Sequence, residues 1–466
     1  MIKYKGDALS GSRTKRKRPP SVGFISQGRA GYAVLLLLVA LVFGGGGSAA
    51  GLANLVVQLA GLAVLAFNRQ AIFAFFAQAP RMPVILVAAT LLLPLLQLVP
   101  LPPAIWQSLP GRDLAVQSYD LIGVQGAWRP FTLSVNRTAM AFFALLPPLA
   151  ILVLSWDLPE RQKRLMLQAV VVAGIIVMLL GAQQLATNNR LLVFYDEVAG
   201  SRNLQGTFAN RNTAGLMLGI ALVALVGAVP WHRAGPVWKL GSVAVAILLV
   251  IGVVLTGSRS SMTLLTVPAL VAIWNWWIRR GAAHSRKMVV GAVLAVALVI
   301  GGGSFLLSGN QRVHQSLTRF DSVEDEERPK IWADTIVAIK RYSPLGAGIG
   351  SFDEVFQVDE ALENVSLGRA GRAHNDFLEV TLESGIIGIL LIGGWMVAVA
   401  TLGFSARHGG VPLAAVGVLV QLALQSLTDY PLRSQTLLCI AALMFALLLG
   451  TREGRSAHEG GLPDRI

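Results

Sequence analysis

The sequence predicts an all-α integral membrane protein of about twelve transmembrane helices with one long water-facing loop. Three observations predict it. Of 466 residues, 54% are hydrophobic and only 14% charged, against about half and a quarter in soluble domains. Apolar runs approaching the roughly 20 residues that cross a hydrocarbon core recur from Tyr32 almost to the C-terminus. Lysine and arginine concentrate at alternate connections between those runs, the pattern of the positive-inside rule.

The elements follow in chain order. Residues 1–30 read as a basic, disordered cytoplasmic tail, with the cations of "KYKGDALSGSRTKRKRPP". Residues 31–307 hold the first nine spans, near 32–48, 51–67, 83–99, 138–156, 165–185, 213–230, 239–257, 261–278 and 288–307. Residues 308–383 form a long periplasmic loop, 384–450 hold spans near 384–403, 411–428 and 435–450, and 451–466 form a second cytoplasmic tail. With the N-terminus in the cytoplasm, 23 of the 39 Lys and Arg fall on that side. Eight of the other 16 lie in the one long outer segment, where the rule has little force.

The net charge of +14 is therefore a topological signal, not a nucleic-acid footprint. No nucleic-acid partner is expected; membrane lipids are expected partners of the protein, and the basic tail is expected first to fix topology, with anionic lipid or a cytoplasmic partner as the alternatives. The single cysteine, Cys439, lies inside the last apolar run and makes no internal disulfide. The first run ends in "GGGGSAAGLA", but about thirty residues precede it and a second span follows, so it is expected to stay as an anchor.

Chemistry has to come from the connections on the outer side, near 100–137, 186–212 and 308–383. In the last, Ile331, Trp332, Thr335, Ile336 and Ile339 recur at helical spacing after Pro329, a residue suited to a first helical turn. The expectation is an amphipathic helix on the membrane surface or over a cavity. Gly346, Gly348 and Gly350 follow and permit a tight turn with close backbone approach. They are no dinucleotide fingerprint, since no strand or βαβ unit surrounds them.

Four polar residues call for an explanation. Arg259, in "TGSRSS", stands between two spans, where a guanidinium is costly unless it snorkels to headgroups or serves a ligand. Ser258 and Ser260 beside it offer hydroxyls that suit a phosphate. Asn210, Arg211 and Asn212 are the last polar residues before the sixth span; Asn212 and Thr213 suit helix caps, and Arg211 either belongs to that helix start or lines an outer cavity. Arg328 closes the acidic run of Asp321, Glu324, Asp325, Glu326 and Glu327, as a salt-bridge partner or as a second cation for the same phosphate. His374, followed by Asn375, Asp376, Glu379 and Glu383, starts a polar helix face just before lipid. Imidazole is the side chain able to take and return a proton near neutrality. A metal is not expected: there is no HExxH, no nearby second histidine or cysteine, and the acidic run lacks EF-hand spacing. No cofactor is called for either.

These segments, in this order, resemble the O-antigen ligase and polysaccharide polymerase superfamily. The resemblance is carried by "LLPLLQLVPLPPAIWQSLPGR", "GTFANRNTAG", "TGSRSS", "RPKIWADTIVAIKRYSPLGAGIGSF", "AHNDFLEVTLESGIIGILL" and "SLTDYPLR". It implies a GT-C-type glycosyltransferase of the bacterial inner membrane, metal-independent, acting on a glycan carried by undecaprenyl diphosphate at the periplasmic face. The acceptor would be lipid A core or a growing polysaccharide. By motif, Arg259 and Arg328 match the diphosphate-holding arginines, Arg211 less securely, and His374 matches the base or acceptor-positioning group. Asn375, Ser258 and Ser260 would support them. The proline-rich entry and the "TDYPLR" ending look more like polymerases than ligases, and protein O-glycosyltransferases share the motifs. A polyprenyl-glycan flippase is the rival class, but such carriers put ionisable groups in mid-span, and here they gather at one end. A non-catalytic scaffold would tolerate loss of His374.

Overall fold

The computed structural model describes residues 22–47, 50–231, 234–280, 311–365, 370–404 and 409–450. Its main helices are α1 (Val22–Phe43), α2 (Gly51–Phe67), α3 (Arg69–Gln78), α4 (Arg81–Gln97), α5 (Val135–Ser155), α6 (Glu160–Ala186), α7 (Arg211–Ala228), α8 (Pro236–Leu255) and α9 (Arg259–Ile278), with short helices Pro103–Trp106 and Asp113–Leu121 between α4 and α5. After them come α10 (Gln311–Tyr342), α11 (Phe352–Asp359), α12 (Asp376–Gly403), α13 (Val411–Gln425) and α14 (Gln435–Leu449). Two-residue strands, Pro100–Leu101 and Arg129–Pro130, pair antiparallel in the connection after α4.

Every predicted span coincides with an apolar helix except 288–307, which lies outside the described residues, as do the basic residues of both tails before residue 22 and after 450. Among the described residues, six helices are long and apolar enough to cross a membrane alone: α5, α6, α7, α8, α9 and α12. A seventh crossing arises if α2 and α3, bent by 77° at Asn68, count as one span. The apolar part of α1 and helices α4, α13 and α14 are shorter. The chain is thus an all-α, multi-pass membrane protein.

Helix α7 is the hub. Its sequence is apolar on every side, which suits a helix with no lipid-facing stripe, and 89% of its span-length window is buried. It packs against α6, α8, α9 and α13. Small residues permit the close approach, as expected where lipid gives helices no hydrophobic drive to associate: Gly215 faces Ser261 and Gly219 faces Gln421.

The connections sort into two ends. At one end, Leu204 N–H donates to Leu255 O, Ala209 N–H to Gly45 O, Asp376 N–H to Ser426 O, and the Gln97 amide to Glu383 O. At the other, Arg29 pairs with Asp157 at 3.0 Å and Gly410 N–H meets Asn275. The long loop folds over the first end. Buried Ala338, Tyr342, Phe352, Phe356, Ala373 and Leu382 form a second, smaller core there. Arg137 fastens α11 to α5 through Asp353 at 2.7 Å and Glu354 at 2.9 Å.

Two local expectations change. Pro329 does not open its helix: α10 starts at Gln311 and runs through it, because the preceding Glu, Arg and Gln are helix formers and the proline removes only one backbone bond. His374 is not on a helical face: Asn375 caps α12 and the helix begins at Asp376, so His374 sits in the turn before it with φ 49°. The glycine turn does make close approaches. Gly348 adopts φ 113°, and a β-carbon there would lie 2.1 Å from Thr132 Oγ1.

Candidate active site

Three helices begin at the end covered by the loop, each capped by its own sequence. Asn210 accepts from Asn212 N–H to start α7, Ser258 accepts from Ser261 N–H to start α9, and Asn375 accepts from Phe377 and Leu378 N–H to start α12. Such caps satisfy amides that the helix leaves unpaired. They also bring three positive helix-dipole ends to one region, which favours an anion there.

Side chains lace these starts together. Ser258 Oγ donates to Asn212 Oδ1 at 2.7 Å, Ser261 Oγ to Asn212 O at 3.1 Å, and Gln425 Nε2 to Ser260 Oγ at 3.2 Å. Arg211 and Arg259 are the first residues of α7 and α9. Ser258 and Ser260 therefore act first as cap and cross-brace, holding the two arginine-bearing starts together. Asn375 does the same for α12, and its amide also donates to Leu427 O at 3.0 Å.

His374 faces a residue that motif reasoning passed over. Its Nδ1 lies 3.6 Å from Asp429 Oδ1, and the Tyr430 ring meets the imidazole edge-on with centroids 5.0 Å apart. Asp429 is 2% exposed. Burial pulls its carboxyl up, but His374, the Arg328 charge and the Asn212 amide outweigh that and hold it below the usual carboxylate range. Burial, reinforced by Asp429, pushes the neighbouring Tyr430 phenol up to about 12. Asp429 is thus a fixed anion against His374. The segment "SLTDYPLR" contained it, but nothing in the spacing of one aspartate 55 positions from a histidine connects the two.

Arg328, on α10, is near enough to act on Asp429. Its Nε is buried with no acceptor among the described residues. One turn on, Trp332 Nε1 donates to Ala373 O at 2.9 Å, so the helix that carries Arg328 is registered to the residue preceding His374. His374, Arg328 and the Asn212 amide thus meet at Asp429, and Ser258, bonded to Asn212, braces the helix starts that Arg211 and Arg259 open. Side chains of the acidic residues 321–326 lie outside the described set.

The three carboxylates after His374 are committed elsewhere. Glu379 is fully buried and receives Arg372 and Arg433, the latter at 3.1 Å, while Arg433 also reaches Glu383 at 2.9 Å. Asp376 accepts from Ser426 Oγ at 2.9 Å. They hold α12 to the connection carrying Asp429 and do not line the anion-favouring region. Among the described residues, no group of three or more His, Cys, Asp and Glu is arranged to hold a metal ion.

Comparison with known proteins adds to this geometry. Residues 244–393, which include Arg259, Arg328, His374 and Asn375, match the family described as O-Antigen ligase. The chain is also 28% identical over 233 residues to the exopolysaccharide production protein ExoQ of Rhizobium meliloti (strain 1021). That match covers 47% of this chain and 50% of the relative's length. The motifs, the matched family and this relative together support the O-antigen ligase and polysaccharide polymerase superfamily for this chain.

Proposed function

We propose that this protein is a metal-independent membrane glycosyltransferase that moves a glycan from undecaprenyl diphosphate to an acceptor hydroxyl at the periplasmic face of the bacterial inner membrane. It would serve lipopolysaccharide or exopolysaccharide synthesis, as ligase or polymerase, with lipid A core or a growing polysaccharide as acceptor. The observation that carries the proposal is the His374–Asp429 pair set beside Arg328 at the convergence of three helix N-termini.

The chemistry follows from those groups. With Asp429 anionic and facing Nδ1, the proton of a neutral imidazole resides on Nδ1 and Nε2 keeps its lone pair. Nε2 then takes the proton of the acceptor hydroxyl as its oxygen bonds to the anomeric carbon. The bond from that carbon to the diphosphate oxygen breaks, and the electron pair leaves with the diphosphate. Arg328, Arg259 and Arg211, with the helix ends behind them, stabilise that leaving charge without a metal. The polyprenyl tail stays among the apolar helices while the diphosphate sits at their ends. A cytoplasmic N-terminus and C-terminus follow from the charge distribution.

The test is transfer by purified protein in detergent with EDTA, using a lipid-linked glycan donor and both classes of acceptor. Release of undecaprenyl diphosphate that depends on acceptor supports the proposal, and the product that grows separates ligase from polymerase. Movement of lipid-linked glycan across vesicles without any release would favour a transporter instead.

A further inference from the structure

The buried ion cluster beside the site is costly. Arg372 and Arg433 face Asp376, Glu379 and Glu383, with the two arginine side chains 13% and 17% exposed and the three carboxylate side chains 7% or less. Burying ions is costly, and apolar packing of similar volume often holds helices together as well. A fastening made of charges instead fixes one geometry among the alternatives.

What it fixes is the connection 426–434. Arg433 lies in that connection and grips α12 through Glu379 and Glu383, with Asp376 at 3.8 Å. Asp376 in turn accepts from Ser426 Oγ and from Leu432 N–H at 3.3 Å, and its own N–H donates to Ser426 O. The segment bearing Asp429 is thus fastened at both ends, by Ser426 and by Leu432–Arg433, to the first two turns of α12. On the other side, Glu379 accepts from Ala373 N–H at 3.2 Å, next to His374. Glu379 therefore touches both the arginine that places Asp429 and the peptide that places His374.

We infer that Arg433 is a positioning residue for the reaction proposed above: through Glu379, Glu383 and Asp376 it sets Asp429 against His374. The inference rests on that function for its kinetic readout but not for its chemical one. The charged and titratable groups facing Arg433 are Asp376, Glu379 and Glu383 on α12. Those facing His374 are Asp429 and Tyr430, with Arg328 acting on Asp429 from α10.

The experiment compares wild type, Arg433→Gln, Arg433→Lys, Asp429→Asn and the Arg433→Gln/Asp429→Asn double variant, as full-length protein in nanodiscs. The first readout is the rate at which diethylpyrocarbonate modifies His374 at one neutral pH, followed by peptide mass spectrometry. It needs no substrate and holds whether or not the protein transfers glycans. Arg433→Gln and Asp429→Asn should change the modification rate in the same direction and by the same factor, the double variant no further, and Arg433→Lys less than Arg433→Gln. The second readout is steady-state transfer, where Arg433→Gln should lower kcat by about 10- to 100-fold through misplacement of the pair, with KM for the lipid donor unchanged. Unchanged His374 modification in Arg433→Gln, or additive effects in the double variant, would overturn the inference and leave Arg433 a scaffold residue. If Arg433→Gln does not fold, Arg433→Lys decides by the same comparison. Wild type that shows no transfer while the modification pattern holds would reject the proposed reaction and keep the positioning role.

Discussion

At the scale of single residues, the proposed reaction divides labour between an imidazole that handles a proton and guanidiniums that handle charge. His374→Ala should lower turnover by about 10²- to 10⁴-fold, the usual worth of a positioned acid–base group, with donor affinity kept; equilibrium binding of a labelled donor beside turnover checks the split. Asp429 makes a second prediction, on stability. Its carboxyl is held below the usual range in the folded protein, so its ionised form favours the fold. That contribution is complete above about pH 4, the ordinary carboxylate value, and is lost as pH falls through the depressed folded value. The difference in thermal midpoint between wild type and Asp429→Asn should therefore shrink as pH is lowered below that range, measured by nanoscale fluorimetry in detergent. Arg259, Arg328, Arg211 and His374 stood out in the sequence because a charge or an imidazole next to lipid demands a reason. Asp429 did not, since aspartate in a short connection is ordinary; only the fold shows that it faces the histidine.

At the scale of elements, the apolar runs were legible because lipid imposes a length and a composition that few other environments do. Helix starts were less legible: Asn212 and Thr213 suited a cap, but Asn210 is the one that caps α7, taking the Asn212 N–H, and Ser258 and Asn375 cap α9 and α12 without having stood out as caps. The bend in α12 was not. Gly385 sits there with φ 55°, and a β-carbon would fall 2.0 Å from Pro344 O, yet a glycine within an apolar run carries no such mark. Ile386 N–H instead donates to Pro344 O at 2.9 Å, which docks the long loop onto the span. Gly385→Ala should destabilise the protein by more than the roughly 1 kcal/mol of an ordinary exchange at positive φ, since both backbone and neighbour must move. Loss of thermal stability exceeding that of Gly393→Ala, where a β-carbon meets nothing, is the check.

At the scale of the whole molecule, the two sets of connections define opposite ends, and the proposed topology puts the end with the site in the periplasm. Glu363, exposed in the long loop, and Glu160, exposed at the other end, give a direct comparison. With Cys439 buried, a membrane-impermeant maleimide should label Glu363→Cys in spheroplasts and Glu160→Cys only after permeabilisation; the reverse order would invert the topology. The central claim, that His374 and the arginines form one site with separate tasks, is tested most directly by single-turnover release of undecaprenyl diphosphate from bound lipid-linked donor. Wild type, His374→Ala and the Arg259→Ala/Arg328→Ala double variant are compared in the presence of EDTA. The account predicts that His374→Ala holds the donor and fails to release the diphosphate, while the arginine double variant loses donor binding as well. Release by His374→Ala at the wild-type rate would contradict it.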